Sequence, residues 1–294
     1  MRIERLWRTF SSSPILGAML KVLLRRCVQA YVESGPKGLC VAIWQKAKQL
    51  FRSGGADGRS HGEVTTGGAE SAGGQDIPWI HPFDAEYGTD TSGLIFGETL
   101  NTGSRSDLWN TAYYGISPSG FNQIMESLGA EFGSEWGRFT FVDLGSGKGR
   151  ALLLASRFPF RKIVGVELAP ELSAVAAANI KLMAAPWQTC REMEANCADA
   201  ATFDYPAGPM VLYLNNPFLP PVLKRCLKNL ARNLEVEPRE VYVVYVHPLF
   251  KREMERVPGL TQLWERSFPF SEEDQRADRV GAKREEAVLW RHLP

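Results

Sequence analysis

From residue 136 to residue 250, short apolar runs alternate with stretches of helical period, and that alternation leaves few folds open. "RFTFVDLG", "KIVGVEL", "MVLYLNN" and "EVYVVYVH" are almost continuously apolar, the pattern of strands covered on both faces. Between them, "GRALLLASRF", "PELSAVAAANIKLMAA" and "PPVLKRCLKNLARNL" carry the apolar spacing of helices, with Pro170 placed to open the second. One more strand is weakly marked around Met193 to Cys197. The expected fold class is therefore α/β, a mostly parallel sheet between two helical layers. Two later segments, "TQLWERSFPF" and "REEAVLWRHL", are placed to close that sheet as an antiparallel pair. Ahead of the alternation, "SPSGFNQIMESLGAEF" predicts a helix with Ser117 as N-cap, Pro118 at its first position and Phe121, Ile124, Met125 and Leu128 facing inward.

The first fifty residues are different in kind. They hold nine Lys or Arg against two Glu, whereas the whole chain of 294 residues has a formal net charge of only +1. Residues 14 to 50 read as one or two helices broken near "ESGPKG". The stretch from Ser53 to Asp76 has eight glycines and almost nothing to bury, which predicts a flexible linker. The expected organisation is a basic helical extension over 1–52, a glycine-rich linker over 53–76, a substrate-recognition and cap segment over 77–135, and a ligand-binding core over 136–294. "PILGAMLKVLL" is too short to span a bilayer, though Trp7, Phe10, Leu20, Leu23 and Leu24 offer an apolar side to a membrane surface or a partner protein. Five scattered cysteines without a short CxxC pair point to a reducing compartment, and the expected location is cytoplasmic, with membrane association through residues 1–52 left open. No metal site is expected. The balanced charge disfavours nucleic acid as a partner, and neither Trp44 nor the basic head matches a nucleic-acid-binding fold.

The chemistry concentrates in "FVDLGSGKGR", residues 141–150. Gly145, Gly147 and Gly149 let the chain turn sharply at the carboxyl end of the first strand, with Ser146 between them, where open α/β sheets bind ligands. The spacing is G-x-G-x-G, not the G-x-G-x-x-G that sets a helix start against a pyrophosphate. Asp143 lies two residues before the first glycine, where a carboxylate repels phosphate and orients a cationic ligand. Glu167 closes the next strand, the position from which a carboxylate accepts ribose hydroxyls, and Asp199 follows the weak strand.

"FVDLGSGKGR", "VGVE" and "LYLNNPF" resemble motifs I, II and IV of class I S-adenosylmethionine-dependent methyltransferases over roughly residues 110 to 250. The resemblance implies a three-layer Rossmann-like fold with a mostly parallel seven-stranded sheet, and S-adenosyl-L-methionine as cofactor. It implies that Asp143, Gly145 and Gly147 surround the methionine part, Glu167 the ribose and Asp199 the adenine, with Ser146, Gly149 and Asn215 also among the cofactor-binding residues. The order of "FVDLGSG", "GVE" and "NN" is also similar to that of non-SET histone lysine methyltransferases of the disruptor-of-telomeric-silencing type. That likeness places Asn215 and Asn216 on the paired asparagines and Tyr114 on a pocket tyrosine. Ile116 stands where that family has a glutamate, and Pro217 intervenes before Phe218. "NNPF" is also similar to a shortened NPP-aromatic motif of enzymes that methylate planar nitrogens.

The expected reaction is N-methylation of an amino group such as a protein lysine, with Asn215, Asn216, Tyr114 and Phe218 at the reacting amine. The alternatives are a small-molecule O- or C-methyltransferase, for which His247 is the candidate base, and an inactive cofactor-binding scaffold acting through residues 1–52. His61, in the linker, is not expected to act. For a cationic substrate, Asp84, Glu86, Tyr87, Asp90, Glu98 and Asp107 are candidate acid contacts, and Trp109, Tyr113 and Tyr114 candidate aromatic walls.

Overall fold

The computed structural model describes residues 80–95, 102–104, 109, 111–278 and 282–294. The chain divides into Met1–Gly74 and Gln75–Pro294, and every described residue belongs to the second unit. The basic extension, the glycine-rich stretch with His61, and Glu98 and Asp107 lie outside the described residues.

The second unit opens with a short helix, α1 (Pro82–Tyr87), and a two-stranded ribbon, β1 (Leu94–Ile95) and β2 (Tyr113–Tyr114). Next comes α2 (Pro118–Gly129), started as expected: Ser117 Oγ accepts from the Gly120 N–H, and Pro118 occupies the first turn, where no N–H is needed. The alternating region then gives β3 (Thr140–Leu144), α3 (Arg150–Ala155), β4 (Lys162–Glu167), α4 (Pro170–Leu182), β5 (Met193–Cys197), β6 (Met210–Asn215), α5 (Pro220–Val236) and β7 (Val241–Val246). The tail adds β8 (Thr261–Pro269), α6 (Glu272–Ala277) and β9 (Arg284–His292).

Seven strands form one sheet in the order β5-β4-β3-β6-β7-β9-β8. The first five are parallel, and the two tail strands pair antiparallel with each other and with β7. This is the three-layer, mostly parallel, Rossmann-like architecture expected for the chain. Alternate residues of each strand feed two cores. Phe141, Tyr213 and Val244 face α2 and α3, while Val142, Leu212 and Val243 face α5. On α5, Leu223, Cys226, Leu227, Leu230 and Leu234 recur at the spacing of one helical face and are all buried. Leu230 is fully buried, so its truncation to Ala should cost about 2–5 kcal/mol.

Strand order fixes where a ligand can sit. The chain enters at β3, builds β4 and β5 on one side, then crosses to β6 and β7 on the other. The helices after β3 and β6 leave in opposite directions, which opens a crevice at the carboxyl ends of those two strands.

Candidate functional site

That crevice is a cleft of about 830 Å³, counting the space at its mouth, and it runs past the ends of β3, β4 and β6. Its rim is the glycine turn. Gly145, Gly147 and Gly149 have φ of 80°, 53° and 87°, all in the left-handed region. A side chain is also excluded by space, since a Cβ on Gly145 would lie 2.4 Å from Pro217 Cβ and one on Gly147 would lie 2.2 Å from Tyr113 Cδ2. Those faces of the turn are thus covered by protein. Gly145, Ser146 and Gly147 line the cleft, whereas Gly149 lies outside it and caps α3 against Ala176 of α4.

Three acids line the cleft, each held differently. Asp143 is 3% exposed, and no described residue donates a hydrogen bond to it. Burial, and then the nearby Glu167 carboxylate, push its pKa well above the usual range. Glu167 is buried too, but Oε2 accepts from the Gly147 N–H at 2.8 Å and Oε1 from the Ala169 N–H at 2.9 Å. Burial raises its pKa, and these backbone donors oppose the rise. Each oxygen keeps a second lone pair for a ligand hydroxyl while the carboxylate braces the glycine turn. Asp199, half-buried, accepts from the Ala201 N–H at 2.9 Å and lies 3.3 Å from Arg225 Nη2.

The cations near the cleft are engaged elsewhere. Arg150 reaches Asp84 at 3.3 Å and Thr91 Oγ1 at 2.6 Å, and lies over the Phe83 ring. Lys148 donates to Asp90 at 2.6 Å and to the Ser92 carbonyl at 2.9 Å. With these cations engaged, the acids of the wall disfavour a phosphate and suit a cationic ligand.

Two further buried groups stand beside them. Ser146 and Tyr213 line the cleft, and neither Ser146 Oγ nor Tyr213 Oη has a hydrogen-bond partner among the described residues. Tyr213 is the residue that the sequence reading missed. Its signal was available, because it lies two residues before Asn215, as Asp143 lies two before Gly145.

The loop after β6 separates the paired asparagines. Asn215 lines the cleft. Asn216 does not: it has φ of 41°, its Oδ1 accepts from Tyr245 Oη at 3.0 Å, and its carbonyl accepts from Thr111 Oγ1 at 2.7 Å. It ties the loop down from outside the cleft lining. Pro217 and Phe218 line the cleft, and the chain from Trp109 to Thr111 is bonded to that loop through the Pro217 and Trp109 carbonyls. Tyr114 also lines the cleft, with its hydroxyl 3.0 Å from Asp278 Oδ1, while Tyr113 covers Gly147 and donates to the Thr91 carbonyl at 2.6 Å.

Several expected substrate contacts are placed otherwise. Asp84 is 2% exposed and accepts from Thr89 and Thr91 hydroxyls at 2.7 and 2.5 Å, from the Ser92 hydroxyl and from Arg150. Burial alone would raise its pKa, but these donors hold it below the ordinary value. It is a structural anchor. Asp90 is committed to Lys148, Glu86 is exposed and accepts from the Tyr87 hydroxyl at 2.6 Å, and Tyr87 packs against Trp187, whose Nε1 donates to Tyr87 Oη at 2.9 Å. Trp109 is exposed. His247 does not line the cleft: its Nε2 lies 2.6 Å from Glu285 Oε2, a pairing that raises its pKa against the opposing effect of desolvation. The candidate base of the small-molecule alternative is therefore displaced from the site.

Among the described residues, no group of three or more His, Cys, Asp or Glu is placed to hold a metal, and no helix is long and apolar enough to cross a membrane.

No family model matches the chain, and no curated protein matches it. Solved structures do resemble it. The glycopeptide N-methyltransferase MtfA complexed with S-adenosyl-L-methionine is 12% identical, with 62% of this chain and 96% of that one covered at a TM-score of 0.44. Magnesium protoporphyrin IX methyltransferase from Synechocystis PCC 6803, with the same cofactor bound, is 9% identical over 59% of this chain and 80% of that one, at 0.38. The cyclase SpnF is 15% identical over 58% and 81%, at 0.42.

Proposed function

We propose that this chain is an S-adenosyl-L-methionine-dependent methyltransferase that methylates the nitrogen of an amino group, such as a protein lysine. The observation that carries the reading is Asp143: a buried acid with no hydrogen-bond partner among the described residues, at the switch point of the sheet, in an acid-lined cleft. A buried acid left in that state is costly unless a cation completes it. The cofactor has a cationic amino-acid end and no phosphate, which suits Asp143 and the absence of a free Lys or Arg at the turn. Ser146 Oγ and Tyr213 Oη, both unpartnered, provide further polar positions for it. Glu167 would hold its ribose through the lone pairs left by Gly147 and Ala169, and Asp199 its adenine.

When bound, the cofactor supplies a methyl group on a sulfonium, already activated toward a neutral amine. The protein's work is then positioning. The Asn215 side-chain carbonyl accepts a hydrogen bond from the incoming amine and turns its lone pair toward the cleft, and Tyr114 and Phe218 wall the passage. Asn216 fixes the loop that carries Asn215. The displacement of His247 weighs against a reaction that needs a strong base, which leaves nitrogen favoured over oxygen or carbon.

The test is transfer of labelled methyl into a host lysate separated into protein, nucleic acid and small molecules. Wild-type chain should label protein at lysine, and Asp143→Ala should not. Label confined to small molecules would replace the protein substrate with a metabolite, and no binding of S-adenosylhomocysteine by calorimetry would sink the cofactor itself.

A further inference from the structure

Tyr213 stands next to Asp143 in the sheet. The two residues are register partners on adjacent parallel strands, so their side chains leave the same face about 4.8 Å apart. The ring cannot swing away. Phe121 meets it at 5.5 Å and 62°, and Phe141 at 5.5 Å and 34°, with the residue fully buried. Its hydroxyl therefore sits at a fixed point behind the cleft wall, and it makes no hydrogen bond to any described residue. Fewer than one buried polar group in ten is left this way, and a protein could avoid the cost with a phenylalanine, as it does at Phe141 in the same core.

Two carboxylates act on this hydroxyl, Asp143 and Glu285. Glu285 is partly engaged: Oε1 accepts from the Ser117 N–H at 3.3 Å, and Oε2 lies 2.6 Å from His247 Nε2 but meets no hydrogen-bond geometry among the described residues. Asp143 has neither a bonded donor nor a paired cation among the described residues. Burial first, then these charges, keep the phenol protonated, so it can both donate and accept.

We propose that the Tyr213 hydroxyl binds the α-amino-acid end of the cofactor, sharing the ligand's ammonium with Asp143 and donating its own proton to the ligand carboxylate. The inference rests on the cofactor reading above and extends it to a strand that the glycine motif does not contain. The order of the sheet gives the direction. Asp199, Glu167, Asp143 and Tyr213 stand on or just after β5, β4, β3 and β6, four neighbouring strands spanning about 14 Å. A nucleoside toward Glu167 and Asp199 leaves the amino-acid end at Asp143 and Tyr213.

Tyr213→Phe removes one oxygen and keeps the ring, so packing and folding should survive. The experiment is calorimetric binding of S-adenosylhomocysteine, and of 5′-methylthioadenosine, which lacks the amino-acid end, to wild type and variant with melting curves alongside. The expected result is a loss of roughly tenfold for S-adenosylhomocysteine, with methylthioadenosine affinity and melting midpoint unchanged. Unchanged S-adenosylhomocysteine affinity would overturn the assignment. An equal loss for both ligands would overturn it too, because the effect would then come from the shape of the cleft. A wild type that binds neither compound would overturn the cofactor reading, and this inference with it.

Discussion

The segment from His81 to Ser92 and the floor of the cleft bury similar chemistry and treat it in opposite ways. Around Asp84, every strong group has a partner: three hydroxyls, a backbone N–H and the Arg150 guanidinium converge on one carboxylate. Around Asp143, the carboxyl, Ser146 Oγ and Tyr213 Oη belong to residues of one wall and have no hydrogen-bond partner among the described residues. Both places are interior and both are polar. A network completed by the chain itself rigidifies the fold, and one left incomplete marks where another molecule completes it.

The largest expected effect tests the two acids against each other. Asp84→Ala leaves Arg150 buried without its charge partner and should cost about 3–5 kcal/mol in denaturant unfolding. Asp143→Ala removes an uncompensated buried acid, so stability should hold or rise while S-adenosylhomocysteine binding is lost. Comparable destabilisation by both substitutions would erase the distinction between anchor and site. A smaller effect is expected at the turn that joins the two regions, where the Tyr113 ring covers Gly147 and its hydroxyl bonds to Thr91. Gly147→Ala adds a Cβ at a left-handed φ and drives it into that ring, at an expected cost of about 1–3 kcal/mol. If Gly147→Ala melts with wild type, Tyr113 is mobile and the cover over the turn is loose.

The strands were legible because burial on both faces writes itself as unbroken apolar runs, and β8 and β9 because their alternation ends the chain with two pairable segments. The glycine turn was legible for the same local reason. The division between anchor and site was not. Asp84 and Asp143 are both single acids near glycine or aromatic residues, and what separates them is Arg150, 66 positions from Asp84. Asn215 and Asn216 are adjacent and alike, yet the left-handed turn at Asn216 sends one side chain to Tyr245 and leaves the other at the cleft. His247 ends its strand as expected, but Glu285, on a strand that pairs antiparallel through the tail, takes it out of the site. Such pairings depend on long-range register, which local pattern does not carry.

A pH-dependent effect, absent at neutral pH and growing only in acid, probes the anchor. His81 is 4% exposed and caps α1 by accepting from the Phe83 N–H at its Nδ1. Burial, with Arg150 nearby, lowers its pKa to about 4, against the pull of Asp274, Asp84 and Asp278. The folded chain therefore holds this imidazole neutral while the unfolded chain protonates it near pH 6.5. Between those values the unfolded state binds more protons, so this contribution to stability is fully present above about pH 6.5 and is lost as pH falls toward about 4. His81→Asn keeps a capping acceptor and removes the titration. Its melting midpoint should fall less steeply than wild type between pH 6.5 and 4.5, with the two curves parallel above pH 7. Identical slopes would mean that the segment opens at low cost when His81 is charged, and that the anchored region is less rigid than its completed network implies.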